Sequence, residues 1–188
     1  MKIIGIGGSN GSGKDTVSRM LADDYGWYFI SVSEDLLIPA LRQLGLPVER
    51  EQMAALGTSW RKELGMGANI DKALALYKSQ AKDYPGLVIS SLRHPGEADR
   101  VHELGGQVVW VDADPKLRYE RIFNRKQGDK DQKTFEQFLA EERAEMAHAG
   151  DEATLNMSAV KDRADIFITN HSNDLDEFKK LVKERLGL

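Results

Sequence analysis

The chain has 188 residues, which suits a single domain carrying a small lid or insertion. Its 41% hydrophobic and 30% charged residues exclude a mostly disordered chain, and 26 Lys plus Arg against 30 Asp plus Glu argue against broad nucleic-acid binding. It has no cysteine, so disulfides, thiolate metal sites and cysteine nucleophiles are excluded. Buried strands are predicted at residues 2–6, 27–32, 87–90, 108–111 and 165–168, each a short β-branched or aromatic run bounded by Gly, Pro or polar residues. Helical patterns fall at 14–24, 34–44, 48–64, 71–82, 97–104, 115–125, 135–148 and 175–186. Start signals are Ser33, Asn69, Asp114 before Pro115, Thr134 and Asn173; stop signals are Gly26, Gly45, Gly65 and Gly105-Gly106.

This alternation predicts an α/β fold: a five-stranded parallel sheet with helices on both faces, in three layers. About fifty residues separate the second and third strands, far beyond the roughly 10–12 that a crossover needs. We therefore expect one domain over 1–188, with a core of 1–32, 84–125 and 150–188. A helical acceptor-binding insertion spans about 33–83 and a lid about 126–149, with Gly128 a suggestive hinge. No apolar run reaches the roughly 18–20 residues of a membrane span. Residues 1–6 turn glycine-rich too soon for a secretory segment, so a cytoplasmic location is expected.

The strongest motif is Gly8-Ser9-Asn10-Gly11-Ser12-Gly13-Lys14-Asp15-Thr16, between the first strand and the first helix. It fits G-x-x-x-x-G-K, whose glycines let backbone N–H groups turn around a phosphate while the lysine reaches the terminal phosphates. Two positions depart from the pattern. Asp15 stands where Ser or Thr is usual, with Thr16 one place late. The third strand ends in Ser90-Ser91, where a magnesium-binding acid is usual. The two departures suggest that Asp15 supplies the missing carboxylate. The alternative is that Asp15 only complements the helix N-terminus, worth about 0.3–1 kcal/mol.

Arginines are the groups best suited to a second phosphorylated substrate. Arg93 follows the third strand at the carboxyl edge of the sheet, where ligands of open α/β folds bind. Arg118, Arg121 and Arg125 share a helical face, and Arg121 lies beside the lid. Arg42 and Arg118 read as surface or ion-pair residues, and Arg143 as ion-paired among glutamates or as a lid arginine. Glu34 and Asp35 follow the second strand, where a carboxylate could face an acceptor hydroxyl or simply favour the first turn of a helix. The four histidines show no metal-ligand spacing, His94 and His171 reading as incidental; Tyr25, Trp27, Tyr28 and Phe29 read as core.

Over nearly its whole length the chain resembles the P-loop kinases of the nucleoside monophosphate kinase and dephospho-CoA kinase group. Its Gly-Lys-Asp-Thr loop is similar to those of phage deoxynucleotide monophosphate kinases and animal-type phosphomevalonate kinases. The resemblance also rests on residues 31–35, on Trp60-Arg61-Lys62-Glu63-Leu64-Gly65, on Val88 to Arg93 followed by Glu97-Ala98, on Val111 to Pro115, and on residues 164–172. It implies ATP and Mg²⁺ as cofactors and a small phosphorylated acceptor, with no membrane or nucleic-acid partner, in a monomer or homodimer. Gly8, Asn10, Gly11, Ser12, Gly13 and Lys14 would cradle the nucleotide's phosphates, and Asp15 and Thr16 would place the metal. Asn170 would sit near the base, and Arg61 and Arg93 on the acceptor phosphate. Arg121, with Arg125, would close over the transferring group, and Asp35 or Glu34 would serve as base or acceptor contact. The acceptor expected is a nucleoside or deoxynucleoside monophosphate, with dephospho-CoA and phosphomevalonate as alternatives. A slow ATPase acting as a nucleotide-binding switch, or a binding-only remnant, is the alternative of another class.

Overall fold

A computed structural model describes residues 2–80, 82–124, 134–146 and 150–188. Five parallel strands form one sheet in the order β2-β3-β1-β4-β5: β1 (Lys2–Gly8), β2 (Tyr28–Ser31), β3 (Gly86–Ser90), β4 (Gln107–Asp112) and β5 (Ile166–Thr169). Period-2 alternation sends neighbouring side chains of each central strand into two different cores. Ile3, Leu87, Ile89, Val108 and Trp110 enter one, while Ile4, Ile6, Val88, Val109 and Val111 enter the other. Strands buried on both faces read as continuous apolar runs, which is why they were legible.

The second core is closed by α1 (Lys14–Tyr25) and α9 (Leu175–Leu186), through Val17, Met20, Leu21, Phe178 and Val182. Behind the other face lie α4 (Ala68–Lys78), α5 (Pro95–Glu103) and the short α8 (Met157–Lys161), which supply Ile70, Ala98, Val101 and Val160. Between β2 and α4 run a π-helical turn (Val32–Leu37), α2 (Ile38–Gln43) and α3 (Arg50–Leu64). The chain after β4 forms α6 (Pro115–Asn124) and α7 (Phe135–Met146). Gly128, Arg125 and the greater part of the polar break after α6 lie outside the described residues. No helix among the described residues is long and apolar enough to cross a membrane.

Several boundaries differ from the sequence reading, and hydrogen bonds account for most of the differences. The helix expected from Glu34 starts at Val32, because the Ser31 hydroxyl accepts from Glu34 N at 3.3 Å and the Asp35 carboxylate from Ser31 N at 2.7 Å. Asn69, expected as an N-cap, lies inside the first turn of α4 and points its amide at Glu97. The cap of α5 is His94, three residues before the expected start: its ring accepts from Gly96 N while Glu97 accepts from His94 N. His94 is therefore a buried structural group. The cap of α9 is Asp174 in place of Asn173, and α8, capped by Asn156, was not anticipated at all.

Candidate functional site

The sheet register sets the site. Gly8 of β1 pairs with Val111 of β4, and Ile6 with Ser90 of β3, so three strand ends converge where the phosphate loop begins. A Cβ on Gly8 would lie 2.2 Å from Val111 O, so only glycine lets the loop leave the strand here. Ser9 N donates to Val111 O and the Ser9 hydroxyl to Asp112, which fastens the loop to β4. Gly13, at φ 103°, turns the chain into α1 and caps it without a side chain, as α2, α3 and α4 are also capped. The first-turn amides of α1 thus meet no capping side chain, an arrangement suited to an anion.

A cavity of about 820 Å³ opens from this loop toward the insertion. It brings together Lys14, Asp15 and Thr16 from α1, Glu34 and Asp35 from the π-helical turn, and Arg61 and Arg93. Asp15 accepts from the Ser90 hydroxyl at 3.2 Å, so the carboxylate on the loop reaches the end of the strand that lacks an acid. Ser91 follows at φ 74°, alone among the described non-glycine residues in having positive φ. Such a conformation costs about 1–3 kcal/mol, and here it lies on the cavity wall.

The two predicted arginines differ in kind. Arg93 is half-buried, with its Nη1 3.5 Å from Glu145 of α7. Arg61 is buried, its side chain 1% exposed like that of Glu97, and all three of its guanidinium nitrogens have protein partners. Nη1 donates to Glu97 at 3.1 Å, Nε to Ala153 O at 2.6 Å, and Nη2 to Thr58 Oγ1 at 3.2 Å. Glu97 in turn accepts from Asn69 Nδ2 and from the backbone N–H groups of Arg93 and His94. This cluster ties α3, α4 and α5 together beneath the cavity and fixes the backbone from which Arg93 projects.

Arg121 and Asn170 do not line the cavity. Arg121 donates to Gly11 O, Ser172 O and Asn173 Oδ1, bridging α6, the phosphate loop and the turn after β5. Asn170 is buried and donates to Ser12 O, buttressing the loop from the β5 side. Arg118 is buried too: it stacks over Phe138, donates to Ala113 O and forms a two-pronged pair with Glu142 of α7. Arg42 and His171 are exposed. Tyr28's phenol is pushed up by burial, then by Tyr84 and the nearby Asp35 charge.

Two cavity arginines escaped the sequence reading. Arg19 lies on the same face of α1 as Asp15 and Thr16, a spacing that could have revealed it. The other, Arg50, opens α3; Phe29, expected as core, packs against the second core and also reaches the cavity wall.

Residues 4–148 match the family described as an AAA domain. No curated protein matches the sequence. Among solved structures, TT1252 from Thermus thermophilus is 20% identical with a TM-score of 0.57, covering 99% of this chain and 96% of that one. A shikimate kinase from Bacteroides thetaiotaomicron is 15% identical with a TM-score of 0.57, over 100% and 99% of the two chains. A gluconokinase from Sinorhizobium meliloti 1021 is 16% identical with a TM-score of 0.52, over 99% and 91%. At such identities the likeness is one of fold, and that fold is the P-loop NTPase α/β fold. Because the matched span runs from β1 through α7 and takes in the phosphate loop, the insertion and every cavity arginine, the chain belongs to the AAA domain family.

Proposed function

We propose that the chain is an ATP- and Mg²⁺-dependent phosphotransferase that moves the γ-phosphoryl group to a small phosphorylated acceptor, a nucleoside or deoxynucleoside monophosphate being placed first. The observation that carries this reading is the single cavity that joins Lys14 of the phosphate loop to Arg19, Arg50 and Arg93. A phosphorylated acceptor brings an anion of the kind that such a set of cations is suited to hold. The solved structures of similar fold include kinases named for shikimate and gluconate chemistry, which supports a small-molecule acceptor.

In this reading the loop amides and the open N-terminus of α1 hold the β-phosphate, and Lys14 bridges β- and γ-oxygens. Arg93 and Arg50 hold the acceptor's phosphate. Arg61 supports Arg93 from below through Glu97 and does not touch the acceptor. Arg121 and Asn170 keep the loop in register from the β5 side. The donors near the loop, the Asp15 carboxylate and Thr16 hydroxyl, are hard oxygens that fit Mg²⁺ better than a softer metal. Mg²⁺ is commonly bound through one or two carboxylates together with substrate phosphates, and Asp15 would supply such a carboxylate. When bound, Mg²⁺ would offset charge on the transferring phosphates. Catalysis by positioning and charge neutralisation demands no dedicated base. If one acts, Asp35 is its candidate, although its Oδ2 already accepts from Ser31 N.

The test is a panel of ribo- and deoxyribonucleoside monophosphates, dephospho-CoA, phosphomevalonate and shikimate with ATP and Mg²⁺, with direct detection of phosphorylated product. One acceptor turning over far above the rest supports the proposal and names the substrate. The serine at the end of β3 favours one other reading, a slow ATPase switch. Its signature is ADP and free phosphate at the same rate with every acceptor.

A further inference from the structure

Helix α7 presents acid to the very cavity arginines that an acceptor phosphate needs. Glu145 Oε1 lies 3.5 Å from Arg93 Nη1 and 3.5 Å from Arg50 Nη1, so two guanidinium groups from different parts of the fold converge on one carboxylate oxygen. Glu141, one turn earlier, lies 3.9 Å from Arg50. The placement is held by a stronger contact: Glu142, three residues before Glu145 on the same helical side, forms the pair with buried Arg118. Phe138 anchors the same helix by packing under the Arg118 guanidinium.

A carboxylate oxygen between two arginines is the position an anionic phosphate oxygen takes. We propose that Glu145 is an internal competitor: in the empty protein it fills the anion subsite made by Arg50 and Arg93, and the acceptor's phosphate displaces it. The identity of the displacing anion rests on the phosphotransferase reading; the competition itself does not. Two consequences follow from the charges. The arginines are kept paired and oriented without substrate, where bare they would repel one another. Acceptor binding also removes the contacts that tie the C-terminal half of α7 to the cavity rim, so occupancy of the subsite and the position of α7 become one equilibrium. A phosphate dianion, with more charge and more acceptor oxygens than a carboxylate, wins that exchange where a monoanion does not.

The experiment titrates inorganic phosphate into the full chain by calorimetry, with ADP and Mg²⁺ saturating so that the phosphate loop is filled. It compares wild type, Glu145→Gln, Arg93→Gln and the double variant. Glu145→Gln should bind phosphate about tenfold more tightly than wild type, the size expected from removing two part-exposed ion pairs. In the Arg93→Gln background the gain should largely vanish, because the subsite has lost its fork. Hydrogen exchange in α7 should rise when phosphate is added to wild type and should already be high in Glu145→Gln. The proposal is overturned by wild type and Glu145→Gln agreeing within about twofold, or by a gain that persists undiminished in Arg93→Gln. Failure of ADP to bind counts against the kinase reading alone, since the four-protein cycle run without ADP still reports the competition.

Discussion

Replacing Arg61 by methionine separates a structural arginine from a ligand-binding one. Its guanidinium is buried, and its loss leaves Glu97 with a charge facing only Asn69 Nδ2 and two backbone N–H groups, and leaves Ala153 O without its donor. Removing one partner of a buried pair costs about 3–5 kcal/mol. For a domain of this size each kcal/mol moves Tm by about 2–4 °C, so Arg61→Met should lower Tm by about 10 °C. Neutralising Glu97 as well should restore part of that loss. A glutamine there can accept from the backbone N–H groups of Arg93 and His94 through its oxygen. Its amide can donate to Asn69 Oδ1, an atom without a partner in the wild-type protein, once the Asn69 amide flips to turn that oxygen toward it. The double variant Arg61→Met/Glu97→Gln should therefore melt above Arg61→Met alone. Thermal unfolding by circular dichroism reads all three proteins, and phosphate affinity measured well below Tm should stay within about threefold of wild type. A Tm lowered by less than about 2 °C, together with a loss of phosphate affinity of tenfold or more, would refute the argument and make Arg61 a substrate contact.

Lys14→Met should reduce turnover by about 10²- to 10³-fold with the fold intact, the usual scale for losing a group that meets transition-state charge; unchanged turnover would remove the phosphate loop from the chemistry. Asp15→Ala should raise the Mg²⁺ concentration needed for half-maximal turnover, and an unaltered Mg²⁺ profile would show that Asp15 only complements the helix. Ser91→Gly should be neutral or stabilising by up to about 1 kcal/mol, read as a rise in Tm, since glycine adopts positive φ without strain. Burial opposes the charge on Asp165, but the Val108 N–H at 2.7 Å and His102 at 2.9 Å outweigh it and hold the carboxyl below its usual range. A depressed folded pKa gives stability that is present above the unfolded value and lost as pH falls through the folded one. The Tm advantage of wild type over Asp165→Asn should thus be modest at neutral pH, the side chain being 40% exposed, and should disappear in acid.

How much of this was legible in the sequence depended on how local the determinant is. The five strands, their parallel sense and the two-faced core follow from continuous apolar runs and from a motif contained within residues 8–16, whereas the order of the strands in the sheet does not. Caps were read to within a few residues, because Asp114 and Thr134 act on neighbours. They failed where a cap's partner is tertiary: Asn69 resembles an N-cap but serves Glu97, 28 positions away. The five-residue α8 escaped because so short a helix has no periodicity to detect.

The arginines show the same limit most sharply. Arg50 and Arg61 stand on one helix, and at 100° per residue their separation brings them within about 20° of the same face. Helical arithmetic alone therefore sends both toward the cavity, and both line it. What divides them is depth. Near the C-terminal end of α3, Arg61 passes under the cavity beside α5, where Glu97 meets it and burial leaves it no freedom to follow a ligand. At the other end of the helix Arg50 has a half-exposed side chain paired, among the described residues, with glutamates of α7, in contacts of 3.5–3.9 Å that a phosphate can replace. A tightly paired, desolvated arginine shapes a site, and a loosely paired, half-solvated one is free to bind within it. Sequence supplies the face, but the carboxylate that claims each guanidinium lies on another element, and so the assignment of roles had to wait for the packing.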